Sequence, residues 1–305
     1  MSNVSNIALL VVFNHRYDAN LPRLRKLYNN FENVYFLVPF YDGLDKDVIP
    51  VYESSDNFSG YFAQAWQHLK NIKVDYWFVV ADDMVINPRI NPDTLAFNLR
   101  ISPKDSYISE FRRFNKATQW IHAHKSLSFT FNNPYLQIVN ELPDKEKAEQ
   151  IMKRHNLLSQ GLSFHKVYNE HYVCDPYHQY NYRYFNDKKN SNSNLPLQSE
   201  YPFVFGYSDI FCIGSVNMER FCHYCGVFAA AGLFVEIAIP TSILLATKGK
   251  TVTQNDISLK GLALWGHDAY TEMENRYDLS LSKLIAEFPR KQLFMHPVKL
   301  SRWKD

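Results

Sequence analysis

The sequence predicts an α/β protein built on a doubly wound, mostly parallel sheet. Three observations carry this. Ile7–Phe13, Val34–Pro39 and Asp75–Ala81 are near-continuous apolar runs in the first part of the chain. Such runs suit strands buried on both faces of a parallel sheet. Helical patterns separate them, and each run ends in a polar loop or turn, which is the alternation of a wound α/β sheet.

In chain order, Ile7–Phe13 is the first strand, and the polar loop Asn14–Asn20 follows it. Leu21, Leu24, Leu27 and Tyr28 then mark a basic helix over Leu21–Asn30. Val34–Pro39 is a second strand, closed by the turn Tyr41-Asp42-Gly43. Ser59 is placed to cap a helix reaching Leu69, with Phe62, Ala65, Trp66 and Leu69 on one face. Asp75–Ala81 is the third strand. The middle of the chain is less regular: Pro143–Leu158 reads as a charged amphipathic helix, and the Asn-, Ser- and Lys-rich stretch Asn181–Ser199 as a long loop. Beyond Tyr201 the chain turns apolar again, with a helix over Val216–Ala231, a strand over Leu233–Ile239 and a helix from Thr241.

At 305 residues the chain fits one large α/β domain carrying an insertion. Residues 1–100 read as the ligand-binding half, 101–200 as an irregular insertion and 201–305 as a second functional half, all within a single catalytic domain over 1–305. A formal charge of +2 gives no field that would favour nucleic acid. No secretory leader precedes the first strand, so Cys174, Cys212, Cys222 and Cys225 are expected as reduced thiols in a cytoplasm. Cys222 and Cys225 have zinc-like spacing without a second pair. Val227–Ala246 is as long as a membrane span, yet Glu236 and Pro240 interrupt it, which favours a buried helix–strand unit. The basic C-terminal stretch with Arg290, Lys291, Lys299, Arg302 and Lys304 is either a solvated tail or a peripheral contact with an anionic inner-membrane surface. The 22 Phe and 20 Tyr can serve as core or as platforms for sugar rings.

Ligands on wound sheets sit beyond the carboxyl ends of the strands. Asn14, Asp42 and the pair Asp82-Asp83 all fall there. Two adjacent carboxylates closing an apolar strand repel each other, and a hard divalent cation bound to diphosphate oxygens relieves that repulsion. A solvated turn or a helix cap is the alternative. Glu236 is a lone carboxylate in an apolar run. Burial without a partner would cost several kcal/mol, so it is paired, for instance with Arg220, or raised in pKa and used as a general base. Asp209, after Val204–Gly206, is either a turn former or a ligand for sugar hydroxyls. His267 follows a glycine turn in Leu264-Trp-Gly-His-Asp268. No GxGxxG, GxxxxGK[ST], GxSxG or HExxH pattern occurs, which argues against dinucleotide oxidoreductases, P-loop NTPases, elbow-type serine hydrolases and zincins.

The placement of Asp82-Asp83 after the third apolar strand resembles the DxD or xDD signature of GT-A glycosyltransferases of bacterial surface-polysaccharide type. The resemblance spans about residues 7–88 in pattern and 201–270 more loosely, and Ala81 departs from a strict DxD. It implies a GT-A-like fold and transfer of a sugar from a nucleotide donor, expected to be UDP-linked, to a glycan or lipid-linked glycan acceptor in polysaccharide, O-antigen or other lipopolysaccharide biosynthesis. It implies manganese or magnesium on Asp83, Asp82 and the late His267, and donor contacts from Asn14, Asp42 and Asp82. It implies Glu236 as catalytic base, hence inversion, with Asp209 beside it on the substrate hydroxyls. A metal-dependent hydrolase of phosphate esters or glycosides and a non-catalytic glycan-binding module are the rival readings. Only donor binding that needs metal fits the transferase.

Overall fold

A computed structural model describes residues 6–117, 121–126, 129, 131–132, 135–159, 199 and 201–305, without the side chains of 121, 124, 125 and 267. The proposed loop over 181–199 therefore lies, but for Ser199, outside the described residues, as does Cys174.

The elements follow in chain order. The first strands and helices are β1 (Ile7–Val12), α1 (Leu21–Leu27), β2 (Asn33–Pro39), β3 (Val48–Val51), α2 (Ser59–Leu69), β4 (Tyr76–Ala81), β5 (Val85–Ile86) and α3 (Pro92–Asn98). Then come β6 (Ser106–Ile108), β7 (Arg112–Arg113), α4 (Lys145–Arg154), β8 (Val204–Phe205), β9 (Ile210–Gly214), α5 (Ser215–Ala230) and α6 (Val235–Ala246). The chain closes with β10 (Thr251–Val252), β11 (Lys260–Ala263), α7 (His267–Arg276), α8 (Leu281–Ala286) and β12 (Gln292–His296).

Among the described residues seven strands form the main sheet, in the order β3-β2-β1-β4-β9-β6-β10. All neighbours are parallel except β9, which runs against both β4 and β6. The expected mostly parallel α/β sheet is therefore present, made mixed by β9, and it draws strands from both ends of the sequence. The strand runs are apolar throughout because both faces are covered. Ala8, Leu10 and Val12 point into one core with α2, α5 and α6, while Ile7, Leu9 and Val11 point into another with α1, α3 and α8.

Two elements differ from the sequence reading. Leu233–Ile239 is not a strand: α6 starts at Val235 and carries Glu236 in its first turn. Every residue of α6 except Glu236 is buried, so no polar face marks a helical period and the β-branched run mimics a strand. Pro240 sits inside this helix and lacks the N–H that would bond the Glu236 carbonyl. That carbonyl instead accepts from Gly206 N–H at 3.1 Å. Secondly, Phe58 holds the N-cap position of α2, and no side chain caps it; the Ser59 hydroxyl is buried without a partner.

The C-terminal stretch is not a free tail. Arg23 donates to the carbonyls of Leu300 and Trp303, and Trp303 is buried. A small sheet β11-β12-β5 joins it to the site: β12 is parallel to β11 and antiparallel to β5, the strand just after Asp83. No helix among the described residues is long and apolar enough to cross a membrane. Cys222 and Cys225 lie on α5 as buried free thiols, and burial holds both well above the ordinary thiol range.

Candidate functional site

Asp82 and Asp83 leave the carboxyl end of β4 in a turn that is held from four sides. Asp82 N–H donates to Val12 O at 2.9 Å, and Ala81 N–H to Asp209 O at 2.9 Å. Val298 N–H donates to the Asp83 carbonyl at 2.5 Å, and Tyr28 Oη to Met84 O at 2.7 Å. The turn lies where β1 and β4 diverge to opposite sides of the sheet, the crevice in which wound folds place their ligands.

The reversed direction of β9 decides who joins the aspartates. A parallel strand would have put Asp209 at the far edge; running backwards, β9 begins where β4 ends and delivers Asp209 beside them. Strand β12 delivers His296 at its last residue. His296 Nε2 is 2.9 Å from Asp83 Oδ1 and 4.0 Å from Asp209 Oδ2. The first contact is a close ion pair that lacks the angle of a good hydrogen bond, so the buried Asp83 Oδ1 has no aligned donor. On the ring's other side, Nδ1 and the Tyr207 hydroxyl are 2.7 Å apart. The imidazole tautomer sets which of the two donates. Burial, then Asp209 beside the same hydroxyl, raises its pKa, and Nε2 faces Asp83.

The electrostatics are those of crowded, half-buried carboxylates. Burial, then the charge of Asp83, pushes Asp82 up to about 8, against the N–H of Asn14 that bonds its charged form. Burial likewise raises Asp209, with Asp83 adding to it and His296 opposing it. Glu236 is pushed up to about 8, first by burial and then by Asp209, while Arg112 opposes the shift. Burial alone would lower His296, but contact with Asp83 and the charges of Asp209, Asp83 and Asp82 outweigh it, and the imidazole moves upward.

A cavity of about 800 Å³ opens beside this cluster. Glu236 and Tyr207 form its inner wall, with Phe205, Phe234, Phe294 and Trp265 around it. Tyr207 stacks on Phe294 at 5.8 Å and meets Trp265 edge-on at 6.2 Å, and Trp265 as a residue is 69% exposed. Gly206 lets the Tyr207 loop approach: a Cβ there would stand 2.1 Å from the Glu110 carbonyl oxygen.

Of the residues proposed from sequence, Asp82, Asp83, Asp209 and Glu236 come together. Asn14 joins them, its backbone on Asp82 and its residue in a small cleft with Ser208 and Asp209. Asp42 does not. It is exposed, and it pairs with Arg16, which also binds Asp18 and the Phe40 carbonyl; Arg16 holds the Asp42 carboxyl below its ordinary range. His267 opens α7 behind Gly266, and its side chain lies outside the described residues. The histidine at the aspartates is His296, which sequence reading missed together with Tyr207. The available signal was the short apolar strand Gln292–Met295 ending in His-Pro.

Among the described residues no three His, Cys, Asp or Glu side chains are arranged to hold a metal ion as they stand. Two from the chain is a different matter. Asp83 Oδ1 and His296 Nε2, 2.9 Å apart, match the separation of roughly 3 Å between neighbouring ligands of an octahedral ion with bonds of about 2.1 Å. Magnesium-type sites use one or two protein ligands, with substrate phosphates and water supplying the rest. The unaligned Asp83 Oδ1 and the Tyr207 bond that orients His296 agree with that use. No protein-family model matches the chain, and no curated protein matches its sequence.

Proposed function

We propose that the chain is a GT-A-like glycosyltransferase that moves a sugar from a nucleotide donor, with a divalent metal, to a glycan or lipid-linked glycan. The observation that carries this is the convergence of Asp82-Asp83, Asp209 and His296 at the switch point of the sheet, beside an aromatic cavity whose inner wall holds Glu236.

Asp83 and His296 would hold the ion, with Asp82 beside it. Bound there, the ion neutralises the charge that develops on the departing diphosphate. The residues of the chain account for the rest. Asn14 at the end of β1 and Asp82 at the end of β4 face the donor. Trp265 and the Tyr207–Phe294 stack offer flat apolar surfaces to an acceptor ring. Glu236 takes the proton of the acceptor hydroxyl as its oxygen bonds to the anomeric carbon and the carbon–oxygen bond to the diphosphate breaks. Its raised pKa makes it a stronger base once ionised, since burial destabilises the charge that the proton then neutralises. Attack from the Glu236 side, opposite the diphosphate, inverts the anomeric carbon.

The test is release of nucleoside diphosphate from UDP- and GDP-sugars with candidate glycan acceptors. Glu236→Gln lowers kcat by about 10²–10⁴ with unchanged nucleotide binding. Release that ignores acceptor and survives Glu236→Gln would put a hydrolase in its place.

A further inference from the structure

The outer wall of the cavity has a charge character that transfer to a neutral sugar does not require. Strand β7 and the turn after it supply Arg112 and Lys116 to that wall. Arg112 is pinned twice: its Nε pairs with Glu110 Oε1 at 2.7 Å, and its guanidinium carbon lies 5.8 Å from the Phe205 ring centroid. Arg112 lines the cavity with no further ion pair among the described residues, and Lys116 on the same wall is exposed and likewise without one. A fork fixed by a carboxylate at Nε and a ring beneath it is set for bidentate binding of an oxyanion. Among the described residues two carboxylates share the cavity: Glu110 is paired with Arg112, and Glu236 is pushed up to about 8 by burial. Lys116 is left as a cation of that wall with no ion pair among the described residues.

Resting on the transferase reading, we infer that the acceptor is an acidic glycan, whose carboxylate or phosphate is held by Arg112 and Lys116 while its ring packs on Trp265. The anion belongs on the acceptor, because on the transferase reading the donor diphosphate goes to the ion that Asp83 and His296 would hold.

The experiment uses the full chain on an array of disaccharides ending in glucose, galactose or mannose. Each is presented in three forms: neutral, uronic acid and 6-phosphate. Wild type is compared with the double variant Arg112→Gln/Lys116→Gln, and UDP binding with manganese is read on both preparations. The inference expects at least one acidic form to be retained about tenfold better than its neutral counterpart, the scale of one charge-assisted pair, with the preference lost in the double variant. Retention of uronic acids alone or of 6-phosphates alone names the anion. Equal retention of neutral and acidic forms, retention of none, or a preference that survives the double variant overturns it. Because both side chains are exposed, the variant should keep the melting temperature of wild type. The nucleotide arm separates the two claims: acidic preference without nucleotide binding leaves the cavity assignment and removes the transferase, and the reverse removes only the acidic acceptor.

Discussion

Asp83 and His296 meet at 2.9 Å, and the chemistry proposed for the site turns on that pair. Asp83→Asn keeps the shape and removes the charge. It should lower transfer at least about a hundredfold, the scale of losing one fixed electrostatic contact, with circular dichroism unchanged. Full activity in Asp83→Asn would contradict the assignment. The titration of the site predicts an unusual stability profile. Asp82 and Glu236 are raised to about 8 in the folded chain, so the native state keeps protons that the unfolded state has lost. Their contribution is complete below the unfolded carboxyl range and is lost as pH rises toward 8. His296, also raised, acts in the same direction above its unfolded value. The carboxylates lowered by basic partners, such as Asp42 and Asp278, act only at acid pH. The melting temperature without metal should therefore fall between pH 5 and 8.5, and Asp82→Asn should flatten the fall. A flat wild-type profile would mean that the carboxylates are not strained in this way.

At the scale of elements, a missing hydrogen bond links helix and site. Pro240 cannot bond the Glu236 carbonyl, and Gly206 takes its place at the head of the Tyr207 loop. Gly206→Ala drives a Cβ into the Glu110 carbonyl and should cost about 1–3 kcal/mol of stability, measured by urea unfolding, together with activity. No change in the midpoint would show that the loop relaxes freely. The same elements show what a sequence can disclose. Strands β1, β2 and β4 were legible because both faces are buried, so an unbroken apolar run has no competing reading as a surface helix. Asp82-Asp83 was legible because paired carboxylates at such a strand end have few uses. Helix α6 was not, because complete burial erases the helical period. His296 and Tyr207 were not legible either. Strand β12 is short, and its pairing with β5 joins residues some two hundred positions apart, a relation that no local pattern records. Asp42 stands apart from the cluster because the right strand end can still aim a side chain at an arginine on the surface.

Across the whole molecule, one reversed strand and one small sheet assemble the site. Strand β9 turns Asp209 toward Asp82-Asp83, and β11-β12-β5 carries His296 and Phe294 to the same edge. Groups from the two ends of the sequence thus meet across β4. The central claim is that this edge binds a nucleoside diphosphate through a metal. Calorimetric titration of UDP and GDP, with and without manganese, on wild type and Asp83→Ala tests it most directly. The account predicts tight binding of one nucleotide that requires manganese and vanishes in Asp83→Ala. Binding of neither nucleotide under any condition, or binding that is indifferent to manganese and to Asp83, would contradict it.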